Sequence, residues 1–479
     1  MLKLPLLCLP IALLFLIGVP SFKSEPGAPS VRPFSANLTE SVFAAGGGGS
    51  TWTTASCSAS KICGDLILKG PSPWADPRAF GAIPNDGIDD TAAIQASIDF
   101  IASAGGGVIL IPSGTFDIGL TLTINSPLTL TGSGSGLSIL RRSAGGAGNT
   151  VAISSSDVTI SKLTFLGPTS TDTYVSGETC IYASGPYGAD FLRNIRLSDL
   201  EISNYGDGGI VLHRVAESFV SENRIRRIGH QGTGCLSCDN VIVSKNHIST
   251  VGPGPCDANG VCNAYGVYFS HLEQHPTSNN PASQSCIADS NLVENIPTWE
   301  GLDAHDGNLI TFSNNIVKGC RIGIHAGGVY GGPEAMKNIV ITGNNLSAGA
   351  ASHNHYGIVV SGTPTHYATN VVVANNVVNG YGVLGDTESG AIQVQYSGPV
   401  SVTGNVIQDF AQAGIHFNVF NTNMLCSGNM ISSGIPAGSA KAISVRDATT
   451  YGFIIGNRSN GFGLALPIVS NVKVGDNDF

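Results

Sequence analysis

Charge is scarce in this chain of 479 residues: only 12% are Asp, Glu, Lys or Arg, against 42% hydrophobic. So small a supply of Lys and Glu excludes an architecture of long solvated helices, which need a charged face. Basic residues are the scarcer sign, 23 against 33 acidic, giving a formal net charge of −10. That balance argues against nucleic acid as a partner, whereas an acidic polymer would need only a local basic groove. Beyond residue 20 no apolar run is long enough to span a bilayer. Among 11 cysteines, Cys235-Leu236-Ser237-Cys238 has the spacing of a metal or redox pair, but no second pair stands at ligand spacing, so zinc is not assigned.

Glycine is plentiful, at 62 residues, and the text reads as a β protein with many turns. Met1-Leu2-Lys3 and the apolar run from Leu4 to Pro20 have the form of a secretory signal. No tidy small-x-small cleavage triplet follows, so an uncleaved N-terminal membrane anchor is the alternative. The expected address is secreted or periplasmic. Export makes disulfides the default, and Cys57 with Cys63, Cys235 with Cys238, and Cys256 with Cys262 are close enough to staple loops. Residues 23–73, with Gly46-Gly47-Gly48-Gly49-Ser50 in their middle, read as a flexible linker.

From Asp76 the text changes. Asp89 or Asp90 offers an N-cap, and Ile94, Ile98 and Ile101 give one apolar helix face. Gly105-Gly106-Gly107 ends that helix, and Val108-Ile109-Leu110-Ile111-Pro112-Ser113-Gly114-Thr115-Phe116 reads as a buried strand and turn. These 40 or so residues resemble the opening of the pectate-lyase-like right-handed β-helix superfamily, "DFGAxGDGxxDDTxAIQxAI" followed by a glycine triplet and "PxGxY/F". The resemblance is specific for fold; lyases, hydrolases, epimerases and phage spikes share it.

An internal repeat points the same way. The pattern aliphatic-x-x-Asn-x-aliphatic recurs around Asn223, Asn246, Asn315, Asn344, Asn376, Asn405 and Asn429, and more loosely at Asn291 and Asn457. Successive steps are 23, 45, 24, 29, 32, 29, 24 and 28 residues, one solenoid coil each, the 45 holding an inserted loop or an extra coil. Asparagine suits a sharp bend through its tolerance of left-handed backbone, and stacked amides bond up a ladder. These residues are structural. The helix over 90–104 should cover the first coil's edge.

The long step carries Pro253-Gly254-Pro255-Cys256, Cys262, Tyr265-Gly266-Val267-Tyr268-Phe269 and His271-Leu272-Glu273-Gln274-His275, read as loop walling a groove. Next comes the densest chemistry in the chain, Trp299-Glu300-Gly301-Leu302-Asp303-Ala304-His305-Asp306-Gly307. On an extended strand Asp303 and His305 share one face while Leu302, Ala304 and Asp306 take the other. A carboxylate beside an imidazole orients it for proton transfer. Two carboxylates for glycoside hydrolysis would be Asp303 with Asp306 or Glu300, but odd spacing sets each pair on opposite faces.

Gly301 to Asp306 resembles the "YGhDPHD" stretch of alginate C5-epimerases, with Glu300 in place of tyrosine and Ala304 in place of proline. The resemblance implies His305 as base and Asp303 as its partner. No arginine or lysine stands where that family would neutralise the uronate carboxylate; one coil on, Arg321 and His325 are offered instead. Gly206-Asp207-Gly208-Gly209 and Gly229-His230-Gln231-Gly232 only partly echo polygalacturonase-like motifs. His213 and His230 lie near strand ends, and His353, His355 and His366 in loop text without ligand spacing. The sequons at Asn345 and Asn457 adjoin the asparagine ladder and should be inaccessible.

The expectation is an all-β chain: one right-handed parallel β-helix over 74–479 with an N-terminal capping helix, after a signal peptide or anchor over 1–22. It should be a monomer acting on a uronate-containing polysaccharide by lyase or C5-epimerase chemistry, with a glycoside hydrolase or a non-catalytic carbohydrate-binding surface protein as alternatives. His305, Asp303 and Asp306 are the catalytic candidates. Trp299, Glu300, Arg321, His325, Tyr265 and His271 are the substrate-binding ones. No cofactor is required; Ca2+ is compatible with the loop aspartates, although no loop has its ligand spacing.

Overall fold

The computed structural model describes residues 73–479 apart from 144–147, 169–172, 187, 189, 259, 272–279, 329–335, 350–354, 384–388, 435–439 and 469. The signal segment, nearly all of the linker, Cys57, Cys63, His275 and His353 lie outside the described residues.

The first described strand is the short Trp74–Ala75, which pairs with Val108–Ile111. The strands form two sheets, of 16 and 24 members. In the first, each coil donates one strand in chain order; the second carries the coil's other two faces. All strand-to-strand pairing around the site is parallel, each strand lying on the equivalent strand of the next coil. The chain is thus an all-β, right-handed parallel β-helix, the hand that parallel crossovers take. The aliphatic residues flanking each ladder asparagine point inward, and Val243, Ile248, Phe312, Val317, Ile341 and Leu346 are fully buried.

The ladder runs from Asn223 to Asn457 and continues to Asn477. Each amide stitches three coils. Asn315 Nδ2 donates to Ala288 O behind and to Asn344 Oδ1 ahead, both 2.9 Å, while Asn315 N–H reaches that same oxygen. Asn246 bonds Asn291 directly, so the 45-residue step is one coil with insertions. The bend works differently from the sequence expectation: the left-handed residue is the one before each ladder asparagine, including Glu222, Lys245, Ser290, Asn314 and Gly343, with φ from 55° to 69°. That turn frees the asparagine to aim its amide along the axis. Asn457 is buried as expected, but Asn345 is exposed, because strand alternation turns it outward when Asn344 turns in.

The helix Thr91–Ser103 buries Ile94, Ile98 and Ile101. Its Gln95 both accepts from Thr123 N and donates to Thr123 O, pairing with the first coil as a further strand would. Asp90 holds the N-cap position, yet its carboxylate bonds Ile83 N and Asp117 N rather than the helix; Asp89 takes Thr91 N. No helix among the described residues is long and apolar enough to cross a membrane. Cys256 and Cys262 lie at disulfide distance, whereas Cys235 and Cys238 are separate buried thiols.

Replacing Asn344 by alanine removes four side-chain hydrogen bonds, to Phe312, Asn376 and twice from Asn315. It also strands buried donors, so urea unfolding should show a loss of about 2–4 kcal/mol. Asn345→Ala, on the exposed side of the same bend, should shift stability by less than about 0.5 kcal/mol.

Candidate functional site

The strand Leu292–His305 covers two faces of its coil, and its pairing with Ile316–Gly327 slips between Ile296 and Glu300. Just past the slip stands a column of glycines. A Cβ on Gly232, Gly266, Gly301 or Gly323 would sit 2.4–2.8 Å from the carbonyl oxygen of the next glycine up, at Gly266, Gly301, Gly323 and Gly357. Backbone packs on backbone there, and only glycine fits. The Cβ direction at Gly301 is inward, 2.6 Å from Val317 Cγ1, and Leu302 is inward too. Two inward positions in succession break the alternation, so Glu300 and Asp303 emerge on the same side. The sequence expectation placed them on opposite faces; the broken alternation at Gly301 and Leu302 overturns it.

Parallel register then aligns Tyr268, Asp303 and His325 in one outward column, and Tyr265 with Glu300 in another. His325 Nδ1 lies 2.9 Å from Asp303 Oδ1 and 3.2 Å from Glu300 Oε1. His305 Nδ1 lies 3.3 Å from Asp303 Oδ2, and the two imidazoles meet edge to face at 5.4 Å. Ser361, on the following coil, meets His325 Nε2 at 3.3 Å. One ligand-capable atom from each of Glu300, Asp303, His305 and His325 falls within 4.8 Å of all the others.

Asp303 is fully buried and Glu300 almost so, while side-chain exposure of 24% at His305 and 17% at His325 marks the route to solvent. Burial, then the charge of Asp303, hold the Glu300 carboxyl well above its usual range. Burial lowers His305 below 6.5 despite Asp303, with His325 adding repulsion. At His325 burial also lowers, but the charge of Glu300 and the hydrogen bond and charge of Asp303 outweigh it, raising the imidazole to about 9. Near neutrality the site therefore holds an imidazolium at His325 and a neutral imidazole at His305, while burial pushes Glu300 toward its neutral form.

Other expected residues are placed as follows. Asp306 leaves the strand with φ 55°, and its carboxylate meets His271 Nε2 at 3.3 Å, both side chains buried. Arg321 stacks on Trp299 with its guanidinium carbon 5.0 Å from the ring centre, and Trp299 hydrogen-bonds Glu300 and Tyr265. Tyr265 begins a regular solenoid strand, Tyr265–Ser270, rather than lying in a loop. It packs with Tyr268, Val211 and Leu236 in an apolar cluster outside the coil interior. Burial first, then the charges of Asp303 and Glu300, push its phenol upward, so it stays protonated. His213 is locked between Ser184 and Asn280 and burial lowers it, a structural role. His230 pairs with Asp207 at 3.1 Å, two coils before the site. Tyr268 and Ser361 were not foreseen. Aligning the chain on its Gly-aliphatic pairs, Gly266-Val267, Gly301-Leu302, Gly323-Ile324 and Gly357-Ile358, puts Tyr268, Asp303 and His325 two residues past each glycine and finds the column.

A family model described as rhamnogalacturonase A/epimerase, pectate lyase-like, matches residues 76–325. Mannuronan C5-epimerase AlgE3 of Azotobacter vinelandii is 32% identical over 147 residues, which span 27% of this chain and 8% of that protein. The AlgE4 A-module of the same organism superposes with a TM-score of 0.53 at 16% identity, covering 84% of this chain and 100% of the module. The Agl-KA catalytic domain does so with 0.59 at 15% identity, covering 88% and 69%. At those identities the structures speak for the fold alone.

Imidazole NMR titration should find His305 titrating below 6.5 and His325 near 9. Asp303→Asn should bring His325 down by removing its charged acceptor, and an unmoved His325 would contradict the assigned pairing.

Proposed function

The chain belongs to the rhamnogalacturonase A/epimerase, pectate lyase-like family, and from that footing we propose that it is a polysaccharide-active enzyme of lyase or C5-epimerase type, abstracting the proton at C5 of a uronate residue. The observation that carries this reading is the Asp303–His305 contact of 3.3 Å at Nδ1. The charge of a carboxylate on that side favours the proton on Nδ1, which leaves the other nitrogen, Nε2, bare as a base.

In this reading the C5–H bond breaks, its proton goes to His305 Nε2, and the electron pair spreads into the sugar carboxylate. The His325 imidazolium and the Arg321 guanidinium supply positive charge for that developing oxyanion. A proton returned to C5 from the opposite face, by a donor outside this cluster, gives the epimer; Glu300, protonating the oxygen at C4 as its bond breaks, gives an unsaturated end. Trp299 and the tyrosine cluster offer apolar faces against which sugar rings stack.

Four chain residues could hold a metal ion, namely Glu300, Asp303, His305 and His325. Their two imidazoles suit a borderline ion; Ca2+ takes six to eight oxygens and does not fit this donor set.

Hydrolysis is the second reading, and one observation favours it: Glu300 and Asp303 present carboxyl oxygens within 4.8 Å, close to the roughly 5–5.5 Å between carboxyl groups in retaining glycosidases, with burial pushing Glu300 toward its neutral form.

Uronate and neutral polysaccharides incubated with wild type and His305→Ala separate these readings. Proton abstraction predicts deuterium entering C5 from D2O, or ultraviolet absorbance from a double bond conjugated to the carboxylate, and a fall of about 10²–10⁴ in rate for the variant. New reducing ends without either signal would move the assignment to hydrolysis. The rate should rise with pH as His305 loses its proton, below 6.5, and fall as His325 loses its own near 9. His325→Gln should erase the alkaline limb that His325 causes.

A further inference from the structure

We propose that Glu300, Asp303, His305 and His325 also form a binding site for a divalent ion of zinc type, and that filling it switches off the base His305; the second half rests on the proton-abstraction reading above. The contacts already have the right size. Tetrahedral zinc with bonds of about 2.0–2.2 Å to nitrogen and oxygen sets its ligand atoms about 3.3–3.6 Å apart. Here His325 Nδ1 stands 2.9 Å from Asp303 and 3.2 Å from Glu300, and His305 Nδ1 stands 3.3 Å from Asp303. The widest separation among the four ligand atoms, within 4.8 Å, asks for side-chain rotation only.

A second observation is independent of that spacing. Glu300 Oε2 is buried with no hydrogen-bond partner, in a residue with 1% of its surface exposed, and Asp303 Oδ2, in a residue with none exposed, has only the 3.3 Å ion-pair contact to His305 Nδ1 and no hydrogen bond. Unsatisfied carboxyl oxygens at that depth are costly, and a cation among them removes the cost. The imidazole edges of His305 and His325, the partly exposed members, give an ion its path inward. An ion held by His305 Nδ1 forces the ring's proton onto Nε2, the nitrogen that must be bare to accept a proton from sugar. Loading therefore displaces protons from the cluster and weakens as pH falls.

The test uses the full-length protein stripped with chelator, then titrated with Co2+, read by visible absorbance, and with Zn2+, read by calorimetry. Expected are one equivalent of binding, a Kd at least about tenfold weaker in His325→Gln, and no change in His247→Gln, a histidine paired with Glu294 elsewhere on the helix. Circular dichroism checks that each variant is folded. Imidazole NMR should show zinc placing the His305 proton on Nε2, and one equivalent of Zn2+ should suppress turnover that chelator restores. No stoichiometric binding, or equal binding in His325→Gln, overturns the site. Binding that leaves Nε2 bare, or zinc that raises turnover, overturns the switch. Metal binding by a protein inactive on every uronate polymer would sink the proton-abstraction reading while leaving the site standing.

Discussion

Everything in this molecule depends on one repeated contact, the asparagine amide that bonds the coil behind and the coil ahead at the same bend. Parallel strands stack about 4.8 Å apart whatever their side chains, but stacking alone does not fix which residue lies over which. A buried amide here satisfies its donors and acceptor through backbone groups of the coil behind and the amide of the coil ahead at the same bend, as Asn223 does with Leu197 O, Leu200 N and Asn246. A slip of one residue would strand polar groups in the interior. The ladder thus converts a general tendency to stack into an exact register, and coils of 23 to 45 residues in length are held to it because their surplus is expelled into loops.

That register is what builds the site. Tyr268, Asp303 and His325 come from three coils and share a column only because the bends beside them are clamped. A second constraint, the glycine column, lets successive backbones touch and spoils the strict alternation of one strand, so that two carboxyl groups three residues apart share one side. Two acids and two imidazoles then meet in a space poor in water. Each group's charge is set by its surroundings: burial and then Asp303 push Glu300 toward its neutral form, and the acidic charge beside His325 holds its proton. A cluster that divides protons so unevenly is suited to moving them.

The same closeness explains why the proton network and a metal site can be one set of atoms. Hydrogen-bonded nitrogen and oxygen stand about as far apart as two ligands of a small cation, so exchanging a shared proton for a metal needs little motion. The helix Thr91–Ser103 answers a different problem of the same architecture. A stack of parallel strands must end somewhere, and Gln95 bonds the first coil's open edge as another strand would.

Much of this was legible in the amino-acid sequence. The opening from Asp76 to Phe116, the asparagine repeat and the helix face at Ile94, Ile98 and Ile101 fix the fold, since each is a local pattern with one periodicity. The nine residues from Trp299 to Gly307 mark the site by their density of acid and base. What local pattern could not supply was direction. The turn residue before each asparagine, the exposure of Asn345, the turning of Asp306 toward His271, and the shared side of Glu300 and Asp303 depend on bends and on the broken strand alternation at Gly301. The meeting of His325 with Asp303, 22 residues apart in the chain, exists only once coils are stacked. Sequence determined which residues were available and which faces were apolar; tertiary structure decided which acids face which histidines, because contacts between coils are set by a register that no single coil contains.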